Sequence, residues 1–362
     1  MLGLAIIIYI MKNLKKKDIM LPEKSYLTFE DMMKNYETRP KIDYLWSGIK
    51  EKTFGLVFGP SKSGKTIFCE NLAMSIAAGR KNYFGYNLNG VPRKVLFVGL
   101  EEHWENRAER NKMQYDTLDD DEKLLLNENY RYQPIEFTKN LVNKQDWKNL
   151  IKTIKSSKAE VVFIDSITRM NTGKLEDSPT AEKIMQRLRN ICYDLGITPI
   201  CIHHTPKMYD KILTMDCIKG SAVFAQESDF AIGISKSTKG FRYQKNIFFR
   251  YAADDDDTVK EFEINSSTWL NFLSDVDEQQ LIDRSDRRGK GKIKIIEDYL
   301  NKDTSMTYSL NELIDHFKPI LAIKERQVQY YLGDLVKENK ITSDKGFYMS
   351  INYKNDDVKR VQ

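Results

Sequence analysis

The chain has few cysteines, no long apolar run and no strong excess of one charge. Among 362 residues there are 4 cysteines, Cys69, Cys192, Cys201 and Cys217, and no two stand at C-x-x-C spacing. That spacing gives no disulfide framework and no cysteine zinc site, and fits a reducing, cytoplasmic compartment. Cys69 and Cys201 lie inside apolar segments and read as small core residues. The apolar stretch MLGLAIIIYIM covers only residues 1–11, too short to cross a bilayer. Its positive charges, in KNLKKKD, follow it instead of preceding it, which is the wrong order for a signal peptide. It reads either as a membrane-touching tail or as sequence upstream of a true start at Met11 or Met20, and no stable membrane insertion is expected. Lys and Arg total 57 against 52 Asp and Glu, a net charge of +5, so bulk charge neither requires nor excludes a nucleic-acid partner.

A length of 362 residues with 41% hydrophobic content is long for one domain and suggests one large and one small domain. The pattern divides into an N-terminal arm (1–40), an α/β domain (41–275), a charged linker (276–291), a compact segment (292–353) and a tail (354–362). Within the α/β domain, FGLVF, KVLFVGL, EVVFIDS and ITPICIHH are continuous apolar runs separated by helical stretches. Such runs belong to strands buried on both faces, in a mostly parallel central sheet. DFAIGIS, NIFFRYA and KEFEIN follow one another closely and read as antiparallel strands added at one edge. The run Asp254 to Asp257 reads as a solvated turn in preference to a metal site.

The stretch GPSKSGKT, residues 59–66, carries the most specific chemistry. It fits G-x-x-x-x-G-K-[ST], lies after the strand FGLVF and opens a helix. Gly59, Pro60, Ser61, Lys62, Ser63, Gly64, Lys65, Thr66 and Ile67 would wrap backbone N–H groups around a pyrophosphate at a helix N-terminus. Lys65 would reach the β- and γ-phosphates of ATP, and Thr66 would ligate Mg²⁺. Three other strands end in polar groups on the same side of the sheet, where open α/β sheets bind ligands. VVFIDS ends in Asp165, a carboxylate for the Mg²⁺ side. VLFVGLEE ends in Glu101 and Glu102, either of which could position water. PICIHHT ends in His203 and His204, one of which could sense a γ-phosphate.

These features resemble the RecA-like ATPase superfamily. More narrowly, GPSKSGKT, VLFVGLEE, VVFIDSITRM, CIHHT and KGSAVFAQESDFAIGI resemble, in order, the RepA-like hexameric helicases of plasmids and mobile elements, relatives of the DnaB-type replicative helicases. The likeness covers residues 45 to about 270. It implies a hexameric homo-oligomer that hydrolyses ATP with Mg²⁺ and acts on single-stranded DNA, with a replication initiator or primase as further partner. It implies Lys65, Glu101, His204 and a trans-acting arginine as catalytic residues, with Glu101 as base. It also implies channel loops after VVFIDS and after HHT, with Arg169, Lys174, Lys207, Lys211 and Lys219 meeting DNA phosphates. One position departs from the pattern: Asp229 stands where the trans-acting arginine is sought. Arg250 is the substitute from a late strand, with Arg242 and Lys245 as alternatives. A non-translocating, ATP-switched DNA-binding protein of transposition or defence is the second reading.

The segment 292–353 reads as three helices followed by two short strands around a turn at Asp344 to Gly346, an order similar to a winged helix. Ser309 and Glu312 have the spacing of a capping box at the second helix. Lys324, Arg326 and Gln327 on the third helix and Lys345 in the turn are the candidate DNA contacts. From residue 285 onward there are 15 Lys and Arg against 12 Asp and Glu, an excess of 3. So weak a basic footprint leaves protein docking open beside DNA contact.

Overall fold

The computed structural model describes residues 26–171, 178–208, 211–218, 222–252, 258–283, 290–321 and 323–353. Lys174, Lys219, the Asp254–Asp257 run, the apolar N-terminus, the tail and part of the linker lie outside the described residues. The chain divides into two units, at Asp43 and Tyr44. In the first, helix α1 (Phe29–Glu37) opens on a capping box in which Asp31 N–H donates to Thr28 Oγ1 and Thr28 N–H to Asp31 Oδ2. None of its residues is buried.

The second unit is built on a nine-stranded sheet. In chain order its main elements are β1 (Gly55–Gly59), α2 (Lys65–Ala77), β2 (Val95–Gly99), α3 (Trp104–Tyr115), α4 (Asp120–Asn129), β3 (Tyr130–Tyr132) and α5 (Lys144–Ser157). They continue with β4 (Val161–Asp165), α6 (Ser178–Leu195), β5 (Thr198–His204), β6 (Phe230–Lys236), β7 (Arg242–Phe249), β8 (Thr258–Ile264) and β9 (Leu270–Asp277). The strand order across the sheet is β9-β8-β7-β6-β1-β5-β4-β2-β3. Every pairing from β6 to β3 is parallel, and β6 to β9 pair antiparallel.

The two-residue period of a strand explains the layers. Leu56 and Phe58 of β1 join Leu96, Val98, Val162 and Ile164 in a core closed by α5 and α6. Val57, between them, points to the other face and joins Phe97, Phe163, Ile200 and Ile202 beneath α2. Both faces of these strands are covered, which is why they read as unbroken apolar runs. Two strands were not expected from sequence. β3 (YRY) is too short for a pattern, and β9 (LNFLSDVD) has one strand neighbour and keeps only Val276 buried, so its sequence is half polar.

The turn after β8 is tied back across the sheet. Asn71 of α2 donates Nδ2–H to Thr268 O (3.2 Å) and accepts from Leu270 N–H (2.8 Å). Gln114 of α3 donates to the same Thr268 O (3.2 Å), and the Trp269 indole donates to Thr117 Oγ1 (2.9 Å).

The C-terminal elements are α7 (Lys290–Lys302), β10 (Thr307–Ser309), α8 (Leu310–Leu321), α9 (Glu325–Lys337), β11 (Ile341–Asp344) and β12 (Phe347–Ser350). Their strands form a separate sheet in the order β10-β12-β11, so a third strand joins the expected hairpin. They have their own apolar core, with Ile296, Leu300, Phe317, Val328, Leu332 and Ile341. The capping box is present: Glu312 N–H donates to Ser309 Oγ (3.3 Å), and Ser309 N–H to Glu312 Oε2 (2.7 Å).

Candidate active site

Residues 59–66 join the carboxyl end of β1 to the first turn of α2, with Gly64 as N-cap at φ 111°. Gly59 fits only because it has no side chain: a Cβ there would stand 1.9 Å from Ile234 O. Ser63 Oγ is buried with no hydrogen-bond partner, and Lys65 is only 5% exposed, its ammonium donating to Pro60 O (2.8 Å). Burial pulls the Lys65 ammonium down to about 8, against the opposing pull of Asp165 and Glu101. A buried cation beside an unspent hydroxyl, at the electropositive end of a helix, is a donor set that fits a phosphate.

Parallel pairing brings the other strand ends alongside. Gly59 is in register with His204, and Gly99 with Asp165. Thr66 Oγ1 donates to Asp165 Oδ2 (2.8 Å). Asp165 is almost wholly buried, and that burial pushes its carboxyl up to about 6. Thr66 and Asp165 form the hydroxyl–carboxylate pair that suits a magnesium ion beside bound phosphates, and an added cation would offset the cost of burying the carboxylate.

The structure separates the two glutamates that follow β2. Glu101 turns toward β4 and β5. His204 Nε2 is 3.4 Å from its Oε1, Thr168 Oγ1 donates to the same oxygen (2.6 Å), and Ser166 Oγ also donates to it. The His204 contact, joined by those of Ser166 and Thr168, holds the Glu101 carboxyl at about 2 despite partial burial. Glu102 turns the other way. Arg110 of α3 grips it with two hydrogen bonds (2.9 and 2.6 Å) and grips Glu70 of α2 with two more (2.7 and 2.6 Å). Glu70 is fully buried, and Arg107 Nε lies 3.7 Å from its Oε1. His203 is buried against the Phe224 ring, 4.8 Å between centroids.

The sequence did not single out Ser166, Thr168, Glu70 or Arg110. Ser166 and Thr168 directly follow Asp165, and their hydroxyls were a readable signal. Arg110 is eight residues from Glu102 and forty from Glu70, with no local pattern to reveal it.

The remaining candidates are dispersed. Arg169 lies at the end of a 3₁₀ turn after β4 and is exposed, as are Lys207 and Lys211 in the segment after β5. Arg250 follows β7 near the amino end of β1, since Phe249 pairs with Phe230 and Phe230 with Gly55. There its Nε lies 3.4 Å from Asp229 Oδ1, so it is not beside the phosphate loop of its own chain. Lys245 is buried and bonded to Glu278 (2.7 Å), whereas Arg242 starts β7, at the end of the strand nearer the loop. Lys324, Arg326, Gln327 and Lys345 are exposed on the C-terminal elements. Among the described residues no cluster of three or more His, Cys, Asp or Glu could hold a metal by itself, and no helix is long and apolar enough to cross a membrane.

A phosphate loop at the carboxyl edge of a mostly parallel sheet, flanked by strand-end carboxylates, is the arrangement of a P-loop nucleotide site. A protein-family model described as an AAA domain matches residues 22–210, and the chain belongs to that family. None of the curated proteins compared matches it. Among solved structures it is similar to a KaiC-like protein from the hyperthermophilic archaeon Pyrococcus horikoshii OT3, at 18% identity and a TM-score of 0.44, over 62% of this chain and 91% of that one.

Proposed function

We propose that the protein is an ATP-driven motor on single-stranded DNA, of the RepA-like replicative helicase kind. It would serve replication of a plasmid, phage or mobile element in the cytoplasm. The observation that carries this reading is that Lys65, Thr66, Glu101, Asp165 and His204 meet at one sheet edge, while exposed Arg169, Lys207 and Lys211 lie on the segments leaving the same strands. Nucleotide chemistry and a basic, DNA-facing surface then share their supports.

In this mechanism Lys65 and the loop N–H groups bind the β- and γ-phosphates of ATP. Thr66 and Asp165 would hold Mg²⁺, which supplies charge neutralisation at the phosphate oxygens. Glu101 is the proton acceptor for the attacking water. Held by His204, Ser166 and Thr168 it is ionised but weakly basic, so those bonds must loosen for it to take a proton. His204, in register with Gly59, is placed to exchange Glu101 for a γ-phosphate. The C-terminal helices and three-stranded sheet would act as a winged helix, presenting Lys324, Arg326, Gln327 and Lys345 to DNA or to an initiator or primase. A hexamer would supply a trans-acting arginine to each site, with Arg250 as first candidate.

The second reading is a non-translocating ATP switch in transposition or defence. Asp229, where a trans-acting arginine is sought, favours it: this carboxylate is buried, accepts from Phe54 N–H (3.2 Å) and faces Arg250. ATP turnover with and without single-stranded DNA, with particle mass measured on the same samples, separates the two. Strong stimulation in a hexamer-sized particle supports the motor. Slow, DNA-indifferent turnover by a monomer or dimer rejects it in favour of the switch.

A further inference from the structure

A cavity of about 380 Å³ lies between α5 and α6, on the face of the sheet opposite α2. Trp147, Ile151, Ile191 and Leu195 give it an apolar floor. Trp147 and Ile191 are buried, and Ile151 and Leu195 are partly buried against the core beneath. The floor is thus firmly seated, and the cavity above it admits a few aliphatic side chains.

The rims are basic. On α5, Lys144, Lys148, Lys152 and Lys155 follow one another at intervals of four, four and three residues. The helical period sets them in one stripe about 16 Å long. On α6, the Arg187 guanidinium lies 5.2 Å from the centre of the Trp147 ring. All five cations are exposed, and none has an acidic partner among the described residues. Like charges at four-residue spacing destabilise a helix, and the helix dipole accounts only for Lys155, in the last turn. The other exposed positions of α5, Gln145, Asn149 and Ser156, are uncharged, so the charge is confined to one flank. Asp146 is engaged with Val142 and Asn143 N–H, both at 3.0 Å, and Asp194 is the only acid among the described lining residues.

We propose that the groove between α5 and α6 docks an acidic amphipathic helix of a partner protein, its aliphatic side chains on the Trp147, Ile151 and Leu195 floor and its carboxylates along the lysine stripe. An amphipathic helix carries an apolar seam between charged flanks, which is the complement of an apolar floor between basic rims. A nucleic acid matches the rims but not the floor. Its backbone has no aliphatic group to fill the cavity, and an unstacked base needs an open ring face, whereas the Trp147 ring is buried with Arg187 over it. Docking on this face is independent of ATP turnover.

The test is fluorescence anisotropy of a labelled synthetic helix titrated with the full-length protein. The peptide has about 15 residues, enough to span the stripe, with Leu at every third or fourth position and Glu between. The same peptide with Lys in place of Glu, and an oligothymidine, are the controls. We expect saturable binding of the acidic peptide and none of the basic one. The triple variant Lys148→Gln, Lys152→Gln, Lys155→Gln should weaken binding about ten-fold. Its replaced side chains are exposed, so it retains the fold. Ile151→Ser leaves the charge unchanged and should weaken binding by a similar factor, which a purely ionic contact would not show. No saturable binding at millimolar peptide, or binding that either variant leaves unchanged, overturns the proposal. Displacement of the acidic peptide by oligothymidine also overturns it, and assigns the stripe to nucleic acid.

Discussion

Replacing Arg110 with methionine isolates what one arginine does between two carboxylates. The Glu70 side chain is fully buried on α2 and receives two hydrogen bonds from Arg110, at 2.7 and 2.6 Å. With Arg110 gone, the remaining cation near Glu70 is Arg107, whose Nε is 3.7 Å away, beyond hydrogen-bond reach. Stranding a buried charge in this way costs about 3–5 kcal/mol. Glu102 is partly exposed, so its loss of the same arginine adds about 1 kcal/mol or less. We therefore expect Arg110→Met to lose about 3–5 kcal/mol in urea unfolding followed by tryptophan fluorescence. Arg110→Lys should fall between, because one ammonium cannot fork onto two carboxylates. The pH dependence has a definite sign. Burial holds the Glu70 carboxyl above its ordinary range, with Arg110 pulling it back down, so the variant raises it further. An acid whose folded pKa exceeds its unfolded value costs stability while ionised; that cost begins to fall as pH drops through the folded pKa and is gone below the unfolded one. The deficit of Arg110→Met should thus shrink as the pH is lowered from neutral toward the ordinary carboxylate range. A deficit below about 1 kcal/mol at neutral pH, or one that widens on acidification, would refute the reasoning.

Three further outcomes follow from the phosphate site. Lys65→Ala removes the buried ammonium and should abolish ATP binding in equilibrium dialysis; normal hydrolysis by this variant would refute the site. Glu101→Gln should bind ATP with little change but lose about 10²–10⁴-fold in kcat, whereas Glu102→Gln should keep most of its turnover. Gly59→Ala places a methyl group 1.9 Å from Ile234 O, and should cost about 1–3 kcal/mol in unfolding and weaken ATP binding.

The features legible in the sequence were those whose physics is local. GPSKSGKT announces itself because a phosphate loop needs glycines, lysine and threonine at fixed spacing. The buried strands announce themselves because both faces of Leu56–Phe58 and Val162–Ile164 are covered. Asp165 and His204 were readable as polar ends of apolar runs. The residues alone left Glu101 and Glu102 open, and only the family resemblance chose Glu101, because the choice depends on which neighbour each carboxylate meets across the sheet. The Arg110 bridge and β9 were hidden for related reasons: the bridge joins residues distant in sequence, and the strand buries too little for apolar alternation to appear.

The turn that carries Thr268 and Trp269 joins β8 to β9, the strand from which the chain continues toward its C-terminal elements. Its bonds to Asn71 and Gln114 ground that edge hairpin on α2 and α3, the two helices that carry the phosphate loop and the Arg110 grip on Glu102. A pull applied through the C-terminal elements therefore has a short load path: the Asn71 amide carries it to the helix that follows the phosphate loop, and the Gln114 amide to the helix that holds Glu102.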